Sequence, residues 1–97
     1  MISSFKDKAT RDIAAGTNSS IARKVLPMEL IQSARRKIAA LARATSLADL
    51  GNIPGYQLEK LSGNRKGQYS IRINKQFRIC FEWDGEDAFN VEIVDYH

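Results

Sequence analysis

Ninety-seven residues with 43% apolar content and a net charge of +4 describe one domain, residues 1–97, with a single modest core. No apolar run is long enough to span a bilayer and no basic-then-apolar leader opens the chain, so the reading is a cytoplasmic protein with no membrane partner. One cysteine and one histidine exclude an intrachain disulfide and leave too few ligands for an intrachain zinc site, so neither a metal nor a cofactor is expected.

In chain order, "MISSF" reads as a short edge strand. Residues 5–15 read as a weak helix that stops at Gly16, and "GTNSS" as a loop of turn and cap residues. Pro27 suits the first turn of a longer helix. Ile31, Ala34, Ile38, Leu41 and Ala42 recur at helical spacing and make its core stripe. Gln32, Arg35, Arg36 and Arg43 lie mostly off that stripe, and the Arg35-Arg36-Lys37 run reads as a solvated helix face. Ser46-Leu47-Ala48-Asp49 has the spacing of a capping box with Asp in the place of Glu, so a short helix or turn starts there. "GNIPGY" breaks it.

From there the period changes to two. Tyr69, Ile71 and Ile73 alternate with Ser70, Arg72 and Asn74. Phe77, Ile79, Phe81 and Trp83 alternate with Arg78, Cys80 and Glu82. A last strand runs over about residues 89–95. Asn74-Lys75-Gln76 is a short connection, and "WDGEDAF" holds an Asp-Gly turn signal. The expected fold is α+β, with N-terminal helices packed on one face of a small antiparallel meander. Cys80 lies within an apolar strand and reads as a buried structural thiol. Arg72 and Arg78 point away from the helices, to an open face. Phe89, Val91 and Ile93 share one parity in the last strand, and Glu92, Val94 and Tyr96 the other. Asp95 and His97 fall on the core side if that strand stays regular.

The charges are segregated. Residues 60–78 hold Lys60, Arg65, Lys66, Arg72, Lys75 and Arg78 and no acid. Residues 79–97 hold Glu82, Asp84, Glu86, Asp87, Glu92 and Asp95 and no Lys or Arg. Either a polyanion partner, nucleic acid first, or cross-strand pairing of the two blocks accounts for this. Asp84, Glu86 and Asp87 flank a turn and read as a solvated acidic loop.

Glu59, Arg65, Arg72, Arg78, Asp95, Tyr96 and His97 are the candidates for chemistry, with Glu59, Arg78, Asp95, Tyr96 and His97 as the catalytic set. Metal-free RNA cleavage needs a base for the 2′-hydroxyl, an acid for the leaving 5′-oxygen and a cation for the phosphate. A histidine, with an ordinary pKa of about 6.5, suits either proton transfer. A carboxylate suits the base, and an arginine suits the clamp through its paired donors. The bland alternative stands beside this. Glu59 is then a solvated edge residue, Tyr96 closes the core with its ring, and His97 is an exposed chain end.

"ISSF", "LEKLSGNRKGQYSIRINKQFRICFEW" and "VEIVDYH" together resemble the HigB-type toxins of the RelE/ParE superfamily of type II toxin–antitoxin systems. The resemblance covers nearly the whole chain and is strongest over residues 56–97. It implies two N-terminal helices packed on an antiparallel sheet. It also implies a ribosome-dependent, metal-independent endonuclease acting on mRNA. The implied partners are the ribosome with its mRNA and a helix-turn-helix antitoxin of HigA type. Operator DNA is reached only through the antitoxin complex. The family's arginine in its "F-R-I" strand falls on Arg78, and its closing Asp-Tyr-His on Asp95, Tyr96 and His97. "G-N-R" falls on Gly63 and Arg65. RNA or ribosome contacts are expected from Lys60, Arg65, Lys66, Arg72 and Lys75. Part of the family has a histidine and a lysine before the glycine, where this chain has Glu59 and Ser62. Glu59 can still serve as a base, while the missing cation at Ser62 weakens the hold on phosphate unless Lys60 or Arg65 substitutes. A non-enzymatic relative on the same fold, a ParE-like inhibitor of a protein such as DNA gyrase, is the alternative. It has no need of His97.

Overall fold

The computed structural model describes residues 1–96. Its elements run α1 (Lys8–Ala15), α2 (Ser20–Val25), α3 (Met28–Arg43), α4 (Leu47–Gly51), β1 (Glu59–Lys60), a 3-10 turn (Gly63–Arg65), β2 (Gln68–Arg72), β3 (Phe77–Trp83) and β4 (Ala88–Asp95). The four strands form one sheet in chain order, each antiparallel to the next.

The helix ends follow local chemistry. Asp7 caps α1 by accepting from the Thr10 amide at 2.8 Å, and Gly16 ends it at φ +80°, a left-handed conformation that costs glycine little. Ser19 caps α2 through the Ala22 amide, so the tail of the "GTNSS" loop starts a six-residue helix that sequence periodicity does not show. Pro27 is the cap residue just ahead of α3. The Ser46–Asp49 capping box forms as expected. The Thr45 and Ser46 amides and the Thr45 hydroxyl all donate to the Asp49 carboxylate, which holds its pKa below the usual range.

The core lies between the helices and one face of the sheet. Ile13, Leu26, Ala34, Ile38, Leu41 and Leu50 from the helical half meet Ile71, Ile79, Phe81, Val91 and Ile93 from the strands. Ala42 is exposed, contrary to its place in the expected stripe, because it lies one residue-step (about 100°) round the helix from Leu41. The buried Ala44 closes that end of the core instead. The Arg35-Arg36-Lys37 run is not uniformly solvated. Arg35 packs its guanidinium over Gly16. Lys37 donates to the Ile73 carbonyl at 3.0 Å and stands 5.6 Å from the centre of the Tyr56 ring. Partial burial, with the like charges of Arg36 and Arg72, pulls the Lys37 pKa down.

A buried hydroxyl ties the two halves together. Thr10 is wholly buried on α1, and its Oγ1 accepts from the Ile93 amide of β4 at 3.0 Å. Thr10→Val keeps the shape and leaves that amide without an acceptor. The expected loss is about 1–3 kcal/mol, read as a lower melting temperature by circular dichroism. An unchanged melt would show that the bond contributes nothing.

The "MISSF" segment makes two isolated parallel bridges to β4, Ile2 to Ala88 and Phe5 to Val91, rather than a full strand. It lies along the free edge of β4. β1 is a fourth strand that periodicity does not predict, pairing Glu59 with Ser70 and Lys60 with Tyr69. One register feature changes the faces of the sheet. Between Cys80 and Glu82 the partners on β4 step from Glu92 to Phe89, so β4 carries one extra residue. Asn90, at φ +51°, sits inside that bulge. The extra residue flips the parity, so Phe89 pairs with Glu82 on the open face and not with Val91 and Ile93 on the core face. Ala88 takes the core position, fully buried.

Cys80 is fully buried, and burial pushes its thiol pKa up. It is expected to resist iodoacetamide in the native protein at neutral pH and to react fully after unfolding in urea, as read by mass spectrometry. Rapid native labelling would contradict the burial.

Candidate active site

The register lays out the open face in rows. Glu59, Ser70, Cys80 and Glu92 line up across the four strands, and Arg72, Arg78 and Val94 form the next row. Arg78 therefore lies diagonal to Ser70, within reach of its side chain. Its Nε donates to Ser70 Oγ at 2.7 Å and its Nη2 to the Gln57 carbonyl at 2.6 Å. Nη1 stands 3.9 Å from Glu59 Oε1. The Arg78 side chain is only 10% exposed, against 55% for Glu59. The arginine is thus fixed at its base, with one nitrogen turned toward an accessible carboxylate. A fixed fork beside a base is an arrangement that can hold a phosphate while a proton is removed next to it.

Arg65 comes to the same face from the 3-10 turn. Its Nη1 donates to Glu92 Oε1 at 2.8 Å and to Gln68 Oε1 at 3.0 Å. The hydrogen bond to Glu92 raises its pKa, and Tyr96 lies near enough to add to the same effect. Lys6 also pairs with Glu92, at 3.5 Å. Arg65 is thus anchored by an acid rather than wholly available to RNA, a difference from expectation. The cause is register: Glu92 faces the open side, within reach of the turn that carries Arg65.

The other expected basic contacts sit at the rim. Lys60, Lys66 and Lys75 are exposed, and Arg72 is half-buried. Of the six cations over residues 60–78, Arg65 and Arg78 have acidic partners, while Lys60, Lys66, Arg72 and Lys75 have none among the described residues. Cross-strand pairing of the two charge blocks therefore explains Arg65 with Glu92 and leaves most of the basic block unneutralised.

The closing segment divides between the two faces. Asp95 pairs with Phe77, a core-face residue, so its side chain leaves the sheet opposite to Arg78. Gln76 Nε2 donates to both Asp95 carboxylate oxygens at 3.2 Å. The Tyr96 amide donates to the Gln76 carbonyl at 2.6 Å, and Tyr96 is 40% exposed, so its ring does not close the core. His97 lies outside the described residues.

Sequence reasoning missed Ser70, Gln57, Glu92 and Gln76. Ser70 and Glu92 had a readable signal, since both are polar at open-face positions of a two-period strand. Gln57 had none, because it acts through a main-chain carbonyl at φ +46°. The acidic loop is structural. Asp84 Oδ1 accepts from the Glu86 and Asp87 amides, which depresses the Asp84 pKa and shapes the turn between β3 and β4.

Three comparisons bear on this geometry. Residues 4–97 match a family described as RelE-like toxins of the type II toxin–antitoxin system HigB. The chain is 31% identical over 98 residues to the endoribonuclease HigB of Proteus vulgaris, with both proteins covered end to end. It is 39% identical over 67 residues to the toxin HigB-1 of Vibrio cholerae serotype O1, covering 69% of this chain and 70% of that one. Among solved structures, the YoeB–YefM complex from Staphylococcus aureus has a chain that superposes with a TM-score of 0.60 at 16% identity, over 100% of this chain and 98% of that one. That likeness speaks to the fold alone.

Proposed function

The chain belongs to the HigB-like family of RelE-like toxins of type II toxin–antitoxin systems, and from that premise we propose that it is an endoribonuclease that cuts mRNA on the ribosome without a metal ion. The observation that carries the reading is the Arg78 guanidinium, fixed on the open face 3.9 Å from the exposed Glu59 carboxylate. Glu59 or His97 takes the proton of the 2′-hydroxyl. The oxygen attacks phosphorus, and Arg78 balances the charge gathering on the phosphate oxygens. The 5′-oxygen leaves with a proton from the other member of the pair. Tyr96 contacts the nucleotide, and Asp95 steadies the segment that carries His97. Lys60, Lys66, Arg72 and Lys75 meet phosphates around the site, and Arg65 presents its charge from the Glu92 anchor.

An antitoxin partner goes with the family. We assign it to the HigA type, with a helix-turn-helix domain that carries the complex to operator DNA. The helical face bearing Arg35, Arg36 and Arg43 offers it a surface away from the sheet.

Few groups on this face can orient a free RNA chain, so alignment must come from elsewhere, and proximity on the ribosome supplies it. The purified protein is expected to cleave ribosome-bound mRNA efficiently and naked mRNA poorly, read as new 5′ ends by primer extension. Equal cleavage of both would remove the ribosome from the mechanism. Cleavage of neither would overturn the enzymatic reading.

A further inference from the structure

We infer that Ser70 is a positioning residue for the cleavage reaction, setting the angle at which Arg78 meets the phosphate; this rests on the role of Arg78 given above. Ser70 is 0% exposed, so it cannot touch RNA. Its hydroxyl nonetheless makes a short side-chain bond to Arg78, 2.7 Å to Nε. The Gln57 carbonyl holds Nη2 at 2.6 Å. With the covalent attachment at Cδ as a third point, the two held nitrogens fix the plane of the guanidinium as well as its direction.

The consequence is specific. With Nε and Nη2 each held, Nη1 is the nitrogen with no acceptor inside hydrogen-bonding distance among the described residues, and it faces Glu59 at 3.9 Å. The phosphate is therefore taken at the Nη1 end, beside the base. A guanidinium free to swing about its last bonds would still attract phosphate, but would present a different nitrogen in each pose. Gln57 adds to the constraint. A non-glycine residue at φ +46° is an uncommon conformation, and here it aims a carbonyl at the arginine. Ser70 in turn is fixed by its place in the middle of the sheet, between Glu59 on β1 and Cys80 on β3.

The test combines kinetics with a readout on the arginine itself. Ser70→Ala is expected to lower kcat on ribosome-bound mRNA about tenfold, through misalignment, with KM within about twofold of wild type. Ser70→Thr keeps a hydroxyl and is expected to restore most of the rate. In an Arg78→Lys background, which has no nitrogen at the Nε position, Ser70→Ala is expected to cost nothing further. By NMR, the Arg78 Nε–H signal is expected to exchange slowly in the wild type and in Ser70→Thr, and quickly in Ser70→Ala. If Ser70→Ala melts below the assay temperature, Ser70→Cys, which fills the space with a poor acceptor, is expected to show the same loss. Full activity of a folded Ser70→Ala, an equal loss in the Arg78→Lys background, or a lost rate with an unchanged Nε–H signal would each overturn the role of Ser70 alone. A wild type that cleaves no ribosome-bound mRNA would overturn the reaction itself, and with it any part for Ser70.

Discussion

Arg78→Ala is expected to abolish growth inhibition and to lower mRNA cleavage by on the order of 10²-fold or more, the scale set by removing one preorganised charge from a transition state. The burial of this arginine changes how the result must be read. An exposed clamp could be removed without cost to folding, but the Arg78 side chain is only 10% exposed and satisfies both Ser70 Oγ and the Gln57 carbonyl. Truncation leaves both acceptors without that donor, at about 1–3 kcal/mol, so a lower melting temperature is expected as well. Arg78→Lys separates the two effects. It keeps the positive charge and most of the buried stem, and it loses the planar fork. It is expected to stay folded and to lose at least about tenfold in rate, because an ammonium cannot keep the bonds to Ser70 and Gln57 and at the same time present a fixed, separate nitrogen to the phosphate. A folded Arg78→Lys with full toxicity at matched protein levels would show that charge alone matters. A folded Arg78→Ala with full toxicity would remove Arg78 from the site.

The strand half of the fold was legible because its signal is long and regular. Seven residues of β3 alternate without interruption, and this alone placed Arg78 on the open face. β1 and α2 were not legible, for the opposite reason. Two residues of strand and six of helix are too short for any period to show, and β1 exists because β2 offers it an edge. The misplacement of Phe89 is of a different kind. Alternation counts residues and assumes none is skipped, while Asn90 at φ +51° adds one to β4. Asparagine tolerates that region better than most residues, yet its presence alone does not announce a bulge.

The site was legible in part. Parity brought Glu59 and Arg78 within one face only once β1 was known, since Glu59 reaches Arg78 through its pairing with Ser70. The charge blocks suggested a polyanion surface, but composition says nothing of which cation is already spoken for. Arg65 and Glu92 are 27 positions apart in the chain and 2.8 Å apart in space. Gln57 belongs to the part no sequence pattern reveals, because any residue has a carbonyl and only the backbone angle decides where it points.

His97→Gln is expected to have the second large effect, a loss of at least about 10²-fold in cleavage with the melting temperature unchanged. Glutamine keeps a polar side chain of similar reach and removes the ability to pass a proton near neutral pH. The case begins at the residue before it. Gln76 holds the Tyr96 amide through its carbonyl and both Asp95 oxygens through its side chain, so the chain is pinned up to the threshold of His97. The pH profile of Glu59→Gln, where the imidazole is the remaining member of the pair, then assigns the role. If the imidazole is the base, it must be neutral, and the residual rate falls as pH drops through its pKa, ordinarily about 6.5. If it is the acid, it must be charged, and the rate falls as pH rises through the same value. Adding His97→Gln to Glu59→Gln is expected to erase that limb. Gln76→Ala removes the two side-chain bonds to Asp95 and leaves every proposed acid and base in place. It is expected to lower the rate and leave the shape of the pH profile unchanged. Full growth inhibition by His97→Gln at matched protein levels would leave no proton to be moved there. The better account would then be a toxin that binds a protein such as DNA gyrase, using the same basic face without cutting RNA.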